Sequence, residues 1–181
     1  MNLEEKTLSK KYLYNGRIIN LRTDTALLPN GNHALREVVE HPGGVGVAAL
    51  TENEELLLVK QFRYPYQQIL LEIPAGKRDP GESPLECGRR ELKEETGVSA
   101  ENFFYLGELY PTPGYCDEVI HIFAARDLSF GQSTPDADEF VEYEKVPFKT
   151  AVDLVMSGEI KDAKTQLAIL KIQLLKQQGI L

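Results

Sequence analysis

Nowhere does the 181-residue chain string together the roughly eighteen apolar residues that a membrane-spanning helix needs. Its start, Met1-Asn2-Leu3-Glu4-Glu5-Lys6, lacks the basic patch and apolar run of a secretory leader, so the expectation is a soluble, cytoplasmic protein. Cysteine is scarce. Cys87 and Cys116 lie in different kinds of segment and form no C-x-x-C pair, which argues against a thiolate zinc site or a disulfide scaffold and leaves two reduced thiols. Positive charge is also short, with 20 Lys and Arg against 28 Asp and Glu and a formal net charge of -8. Attraction to nucleic acid or to an anionic membrane needs a basic stripe that releases counterions, so neither is an expected partner. Low-complexity blocks and internal repeats are absent, because the 10 prolines and 14 glycines are spread along the chain.

With 42% hydrophobic residues, the chain is long enough for one compact domain with a proper core. Up to about Glu40 the sequence reads as β structure. Tyr12-Leu13-Tyr14, a turn at Asn15-Gly16, Ile18 to Leu21, a turn at Pro29 to Asn32, and Val38-Val39 predict an antiparallel subregion. Val45 to Leu50 opens a new strand after Gly43-Gly44. Leu56 to Phe62 and Ile69 to Ile73 are short, nearly continuous apolar runs, which predicts strands buried on both faces in a central sheet. Further strands are expected at Phe103 to Leu109, Val119 to Ala125 and Phe140 to Val146, with helices at Lys149 to Met156 and Ala163 to Gln178. Helices packed on a mixed sheet give an α/β architecture.

One more helix carries the chemistry. Ser83 is a natural N-cap, Pro84 suits the first turn, Glu86 completes an S-x-x-E capping box and Gly97 suits the stop. Leu85, Gly88 and Leu92 share one face by spacing, while Glu91, Glu94 and Glu95 crowd another. Like charges at these spacings cost about 0.2–0.5 kcal/mol per pair, so they need solvent or a cation. Taken alone, the helix would read as a solvated acidic face relieved by Arg89, Arg90 and Lys93. The other reading is a hard divalent cation, which prefers oxygen ligands and keeps waters and substrate phosphates in its shell.

The flanking residues favour the cation. Gly76, Glu82, Arg90, Glu91, Leu92, Glu94, Glu95, Gly97 and Val98 satisfy every fixed position of G-x5-E-x7-R-E-U-x-E-E-x-G-U, where U is aliphatic. This segment resembles the Nudix box. Gly76 and Gly81 allow a tight loop after a strand ending near Pro74, and Glu82 with Arg90 is expected to brace that loop against the helix. The resemblance implies a Nudix fold, a mixed sheet sandwiched between helices (α/β/α), with residues 1–42 as the antiparallel subregion and 43–181 as the hydrolase domain. It also implies Mg2+ or Mn2+ held by Glu91, Glu95 and the backbone of Ala75, with Glu94 nearby in a catalytic role. Water attack on phosphorus is the implied reaction.

Outside the box, Pro113 lies in Pro111-Thr112-Pro113-Gly114, sixteen residues after Gly97, as in the ADP-ribose pyrophosphatase subgroup. Leu71-Glu72-Ile73-Pro74-Ala75-Gly76 and Gln61-Phe62-Arg63 are similar to that subgroup too. Thr112, Pro113 and Gly114 could be an ordinary turn, but beside the box they read as a substrate loop. Arg63 could be a solvated strand-end charge; the resemblance directs its guanidinium to the diphosphate. A homodimer with exchanged N-terminal strands is also implied, with Arg17, Ile18, Arg36, Glu37 and Glu40 as candidates for the adenosine half. Glu139, in the acidic segment 135–144, is the expected general base or additional metal ligand, with Ala137 standing where some relatives carry a further acid. The implied reaction is hydrolysis of ADP-ribose to AMP and ribose 5-phosphate. Rival readings are another nucleoside diphosphate sugar, a dinucleoside polyphosphate, or a non-catalytic nucleotide-sugar sensor.

Overall fold

The computed structural model describes residues 2–134 and 140–181. They divide into two compact units, Met1–Gly43 with Tyr110–Val119, and Gly44–Leu109 with Ile120–Leu181.

The first unit is built on three antiparallel strands in sequential order, β1 (Lys6–Asn15), β2 (Asn20–Leu27) and β3 (His33–Glu40). The connections fall where the turn residues place them. Gly31 has φ +86° and donates to the Leu28 carbonyl at 2.9 Å, which closes the second hairpin. Residues 110–119 join this unit through a bridge between Val39 and Cys116, with Val39 N donating to Tyr115 O at 2.7 Å and Asp117 N to Val39 O at 3.1 Å.

The second unit holds two sheets. The larger is mixed, in the order β7 (Ala75–Lys77), β4 (Gly44–Ala49), β9 (Ile120–Phe130), β8 (Val98–Leu109), with β4 and β9 parallel and the outer pairs antiparallel. Both faces of its centre are covered, which is why β4 reads as an unbroken apolar run. Val45, Val47 and Ala49 face Cys87 and Leu92 of α1 (Pro84–Thr96). Ala48 and Leu50 pack instead with α2 (Phe148–Met156) and α3 (Ala163–Gln177).

The runs Leu56–Phe62 and Ile69–Ile73 are not in this central sheet. They form β5 (Glu55–Arg63) and β6 (Gln68–Glu72) of an antiparallel sheet ordered β10 (Val141–Pro147), β5, β6. Leu56 to Val59 are buried, but Phe62 and Ile69 are exposed. An apolar run reports burial and not the identity of its neighbouring strand, and here only half of β5 reaches the core. Strand β8 begins at Val98, five residues before the expected Phe103, because its first residues pair with the far end of β9.

Candidate active site

Helix α1 starts and stops on local chemistry. Ser83 Oγ accepts from Glu86 N at 3.3 Å, and Glu86 Oε2 accepts from Ser83 N at 2.9 Å, a complete capping box with Pro84 in the first turn. Gly97 ends it at φ +72°, donating to Lys93 O at 2.8 Å. Of the face that Leu85, Gly88 and Leu92 share by spacing, Gly88 and Leu92 are buried and Leu85 is not. Cys87, Glu91, Glu95 and Thr96 also turn inward. Two carboxylates a helical turn apart therefore lie in the wall of the domain, Glu91 7% and Glu95 3% exposed.

Strand β7 lies against them. Ala75 N donates to Glu95 Oε2 at 3.0 Å. A methyl group at Gly76 would meet the Glu91 carboxylate at 2.0 Å, so that carboxylate occupies the space a side chain would take. Arg90 ties the assembly together. Its Nε and Nη2 donate to the two Glu82 oxygens at 2.9 and 3.0 Å, Nη1 donates to Glu91 Oε1 at 2.8 Å and Glu94 Oε2 at 3.0 Å, and Nη2 also reaches Lys77 O at 3.0 Å. The expected brace of loop against helix is therefore a bidentate pair. Arg90, foremost, holds the Glu82 carboxyl down at about 2. The loop is also held by Arg78, which donates to Glu82 O, and by Asp79 N, which donates to Glu82 Oε2 at 3.0 Å. Cys87 Sγ donates to Lys77 O at 3.5 Å, and burial, first among the causes, pushes this thiol up to about 12, so it stays an inert thiol.

Among the described residues no group of three or more His, Cys, Asp or Glu side chains forms a ready-made metal cage. Mg2+ does not require one, since it is held by one or two carboxylates together with water and substrate phosphate. A buried carboxylate pair costs several kcal/mol in desolvation, which a shared divalent cation offsets directly. Glu91, Glu95 and the backbone at Ala75 and Gly76 thus fit such an ion. Glu94 lies on Arg90 at the edge of the pair, and Glu139 is outside the described residues.

The other expected residues divide between the units. Arg63 forks onto Glu72, with Nε and Nη2 donating at 2.7 and 2.6 Å. In the N-terminal unit, Arg36, Glu37, Pro113 and Gly114 line one cavity of about 530 Å3, a volume suited to a small molecule. Arg36 is meanwhile bonded to Glu5, its Nε donating at 2.9 Å and Nη2 at 2.7 Å. Thr112 is not on the wall; its carbonyl accepts from Cys116 N at 3.0 Å and so shapes the loop. Glu40 is engaged by Arg22 Nε at 2.7 Å and Tyr12 Oη at 3.1 Å, while Arg17 and Ile18 lie exposed in the β1–β2 turn, away from the cavity. Sequence reasoning missed Arg22 and Asp24, which line the cavity from β2, and Lys164, which joins Arg63 on Glu72. The signal for the first pair was the alternation of charge in Arg22-Thr23-Asp24.

A strand, a short loop and a helix thus bring together two buried carboxylates, Glu91 against Gly76 and Glu95 on the Ala75 amide, a donor set of the kind a metal-assisted hydrolase uses. The chain belongs to the NUDIX family: the NUDIX domain matches residues 40–166, and the nucleoside diphosphate sugar hydrolase N-terminal domain matches residues 5–39. It is 43% identical over 175 residues to an ADP-ribose pyrophosphatase of Bacillus subtilis (strain 168), covering 96% of this chain and 95% of the relative. It is 38% identical over 173 residues to a methanol dehydrogenase activator of Bacillus methanolicus, covering 94% of each. A crystal structure of an ADP compounds hydrolase superposes over 100% of both chains with a TM-score of 0.86 at 24% identity, a likeness of fold.

Proposed function

We propose that the protein is a metal-dependent pyrophosphohydrolase that converts ADP-ribose and water to AMP and ribose 5-phosphate. The observation that carries this reading is the buried carboxylate pair, Glu91 over Gly76 and Glu95 on the Ala75 amide. The likeness to the B. subtilis ADP-ribose pyrophosphatase supports the substrate. Mg2+ or Mn2+, held by Glu91, Glu95 and the Ala75 carbonyl, would neutralise the diphosphate and lower the pKa of a bound water. The chain's own residues do the rest. Arg90 fixes Glu91 and the loop, Arg63 takes a phosphoryl oxygen, and Glu139 accepts the proton of the attacking water as its oxygen bonds to one phosphorus. The bridging oxygen leaves with the other phosphate.

Arg36, Glu37, Pro113 and Gly114 bind the nucleoside half, with Thr112 shaping their loop and with Arg17, Ile18 and Glu40 contributing from the N-terminal strands of a homodimer. The protein acts in the cytoplasm, on a small molecule and not on nucleic acid or membrane. No described helix is long and apolar enough to cross a membrane.

The test is product identification. ADP-ribose with Mg2+ is expected to give AMP and ribose 5-phosphate, and excess EDTA to stop the reaction. Turnover in EDTA, or no cleavage of ADP-ribose with metal present, overturns the reading. The match to the nucleoside diphosphate sugar hydrolase N-terminal domain supports a second reading, in which another nucleoside diphosphate sugar is preferred, and a substrate panel separates the two. The likeness to the B. methanolicus protein supports a further role as an activator of a methanol dehydrogenase, read directly by adding the protein to a dehydrogenase assay.

A further inference from the structure

The inner end of β6 carries a charged cluster that the metal site does not use. Glu72 is 1% exposed, and its carboxylate accepts both from Arg63 and from Lys164 of α3. Lys164 is buried as well, and its Nζ donates to Asp162 Oδ1 at 3.0 Å. Burial works to raise the Glu72 carboxyl, but Arg63 and Lys164 outweigh it and the group lies below its ordinary value. Two anions and two cations cancel around the buried Glu72 carboxylate, which unmatched would cost several kcal/mol.

The cluster stands at one end of a tethered strap. Ile73 N donates to Thr165 Oγ1 at 2.9 Å, Pro74 O accepts from Val47 N at 2.8 Å, and Ala75 N donates to Glu95 at 3.0 Å. Every residue from Glu72 to Ala75 is therefore pinned, and the strap runs from the N-terminus of α3 to a carboxylate of the metal site. Arg63 is the member of the cluster that reaches solvent, its side chain 35% exposed against 2% for Glu72 and 9% for Lys164. Glu95 lies near enough for its charge to act on the Arg63 guanidinium. The fork onto Glu72 engages Nε and Nη2 and leaves the Nη1 edge outside the pair.

A lone Glu72 to Arg63 pair would make a poor phosphate clamp, because a phosphate drawing on the guanidinium would weaken the only compensation of a buried anion. Lys164 removes that conflict. We propose that Glu72 and Lys164 are positioning residues for Arg63: they hold its Nε and Nη2 so that the Nη1 edge receives a nonbridging phosphoryl oxygen of a nucleoside diphosphate beside Glu95. The inference rests on the pyrophosphohydrolase reading and adds to it the residues that set the diphosphate clamp.

A double-mutant cycle tests it on the full chain with Mg2+, using ADP-ribose turnover and calorimetric binding of ADP as separate readouts. Arg63→Ala and Glu72→Gln are each expected to raise KM for ADP-ribose, and to weaken ADP binding, by about 10- to 100-fold, the range for a lost charge-assisted hydrogen bond, while kcat changes less. The double variant is expected to be no worse than Arg63→Ala, because both changes remove one device. Glu72→Asp and Lys164→Arg keep the charges and are expected to restore part of the affinity, which covers the case of Glu72→Gln failing to fold. Additive losses, or Glu72 variants that lower the melting temperature with KM and ADP affinity unmoved, overturn the proposal and leave the hydrolase reading standing. A wild type that binds ADP but does not cleave ADP-ribose overturns the substrate assignment, and the ADP cycle still decides the role of Glu72. No ADP binding by the wild type overturns both.

Discussion

A carboxylate withdrawn from water must be matched by a cation, by hydrogen bonds, or by both. Glu91 is matched by Arg90 and lies against Gly76, and Glu95 is matched by the Ala75 amide. Gly76 is required by space and not by its backbone angles, since it is not among the residues of positive φ. Gly76→Ala is therefore expected to fold, with its methyl group displacing the Glu91 carboxylate it would meet at 2.0 Å. To return to ordinary contact the carboxylate must shift by about 1 Å or more, and a misplacement of about 1 Å in a reacting constellation costs on the order of 10²-fold in rate. The comparison is Glu95→Gln, which keeps shape and helix propensity while removing the charge. Both variants are expected to lose turnover with the melting temperature nearly kept, measured by kcat/KM across an Mg2+ titration alongside thermal denaturation. Near wild-type turnover in Gly76→Ala would show that the Glu91 position is not used.

Among the secondary-structure elements, α1 and its loop form one unit because Arg90 and Glu82 close it. The Glu82 carboxyl, held at about 2 by Arg90 first, contributes stability above its unfolded value near 4.5 and loses it as the pH falls towards 2. Folded protein is thus expected to lose melting temperature between about pH 4.5 and 2, and Glu82→Gln to be less stable at neutral pH but to show a shallower loss over that window. An unchanged slope in Glu82→Gln would remove this pair from the acid response. The local grammar of α1 was legible in the sequence: Ser83, Pro84, Glu86 and Gly97 act on neighbours within a turn, and each does what its type predicts. The inward face was less so. Periodicity weighs Leu85 above Glu91 and Glu95, whereas the chain leaves Leu85 at the surface and spends the buried positions on the two carboxylates, which is how a site differs from a core. The placement of β5 and β6 outside the central sheet was not legible either, because pairing is set by contacts distant in sequence. Lys164 on Glu72 spans 92 residues and leaves no local trace.

At the scale of the whole molecule, the N-terminal strands carry the surface that a second copy would cover in the proposed homodimer. Every residue of β1 is exposed, and Leu8, Leu13 and Tyr14 on it, Ile18 in the turn and Leu35 on β3 are large apolar side chains in water. Strands β1 and β3 flank β2 in a three-stranded sheet; residues 115–117 take part of the outer edge of β3 through Val39, and β1 is left with an edge open to pairing. The register of β1 slips at Leu8 and at Leu13, and large apolar side chains exposed beside such an edge support an interface. In the proposed homodimer a second copy would cover them. Sedimentation at micromolar concentration is expected to give twice the chain mass. The double variant Leu13→Glu with Leu35→Glu, at side chains 53% and 73% exposed in one copy, is expected to dissociate it without unfolding the NUDIX domain. Fully burying a leucine is worth about 1.5–3 kcal/mol, so two such losses weaken association by at least about 10²-fold. Because Arg36 and Glu37 of the cavity proposed for the nucleoside stand on β3 of this same sheet, the dissociated variant is expected to show a raised KM for ADP-ribose. A wild type that sediments as a monomer at all concentrations, with full activity, would leave the exposed strands without this partner and the nucleoside site complete within one chain.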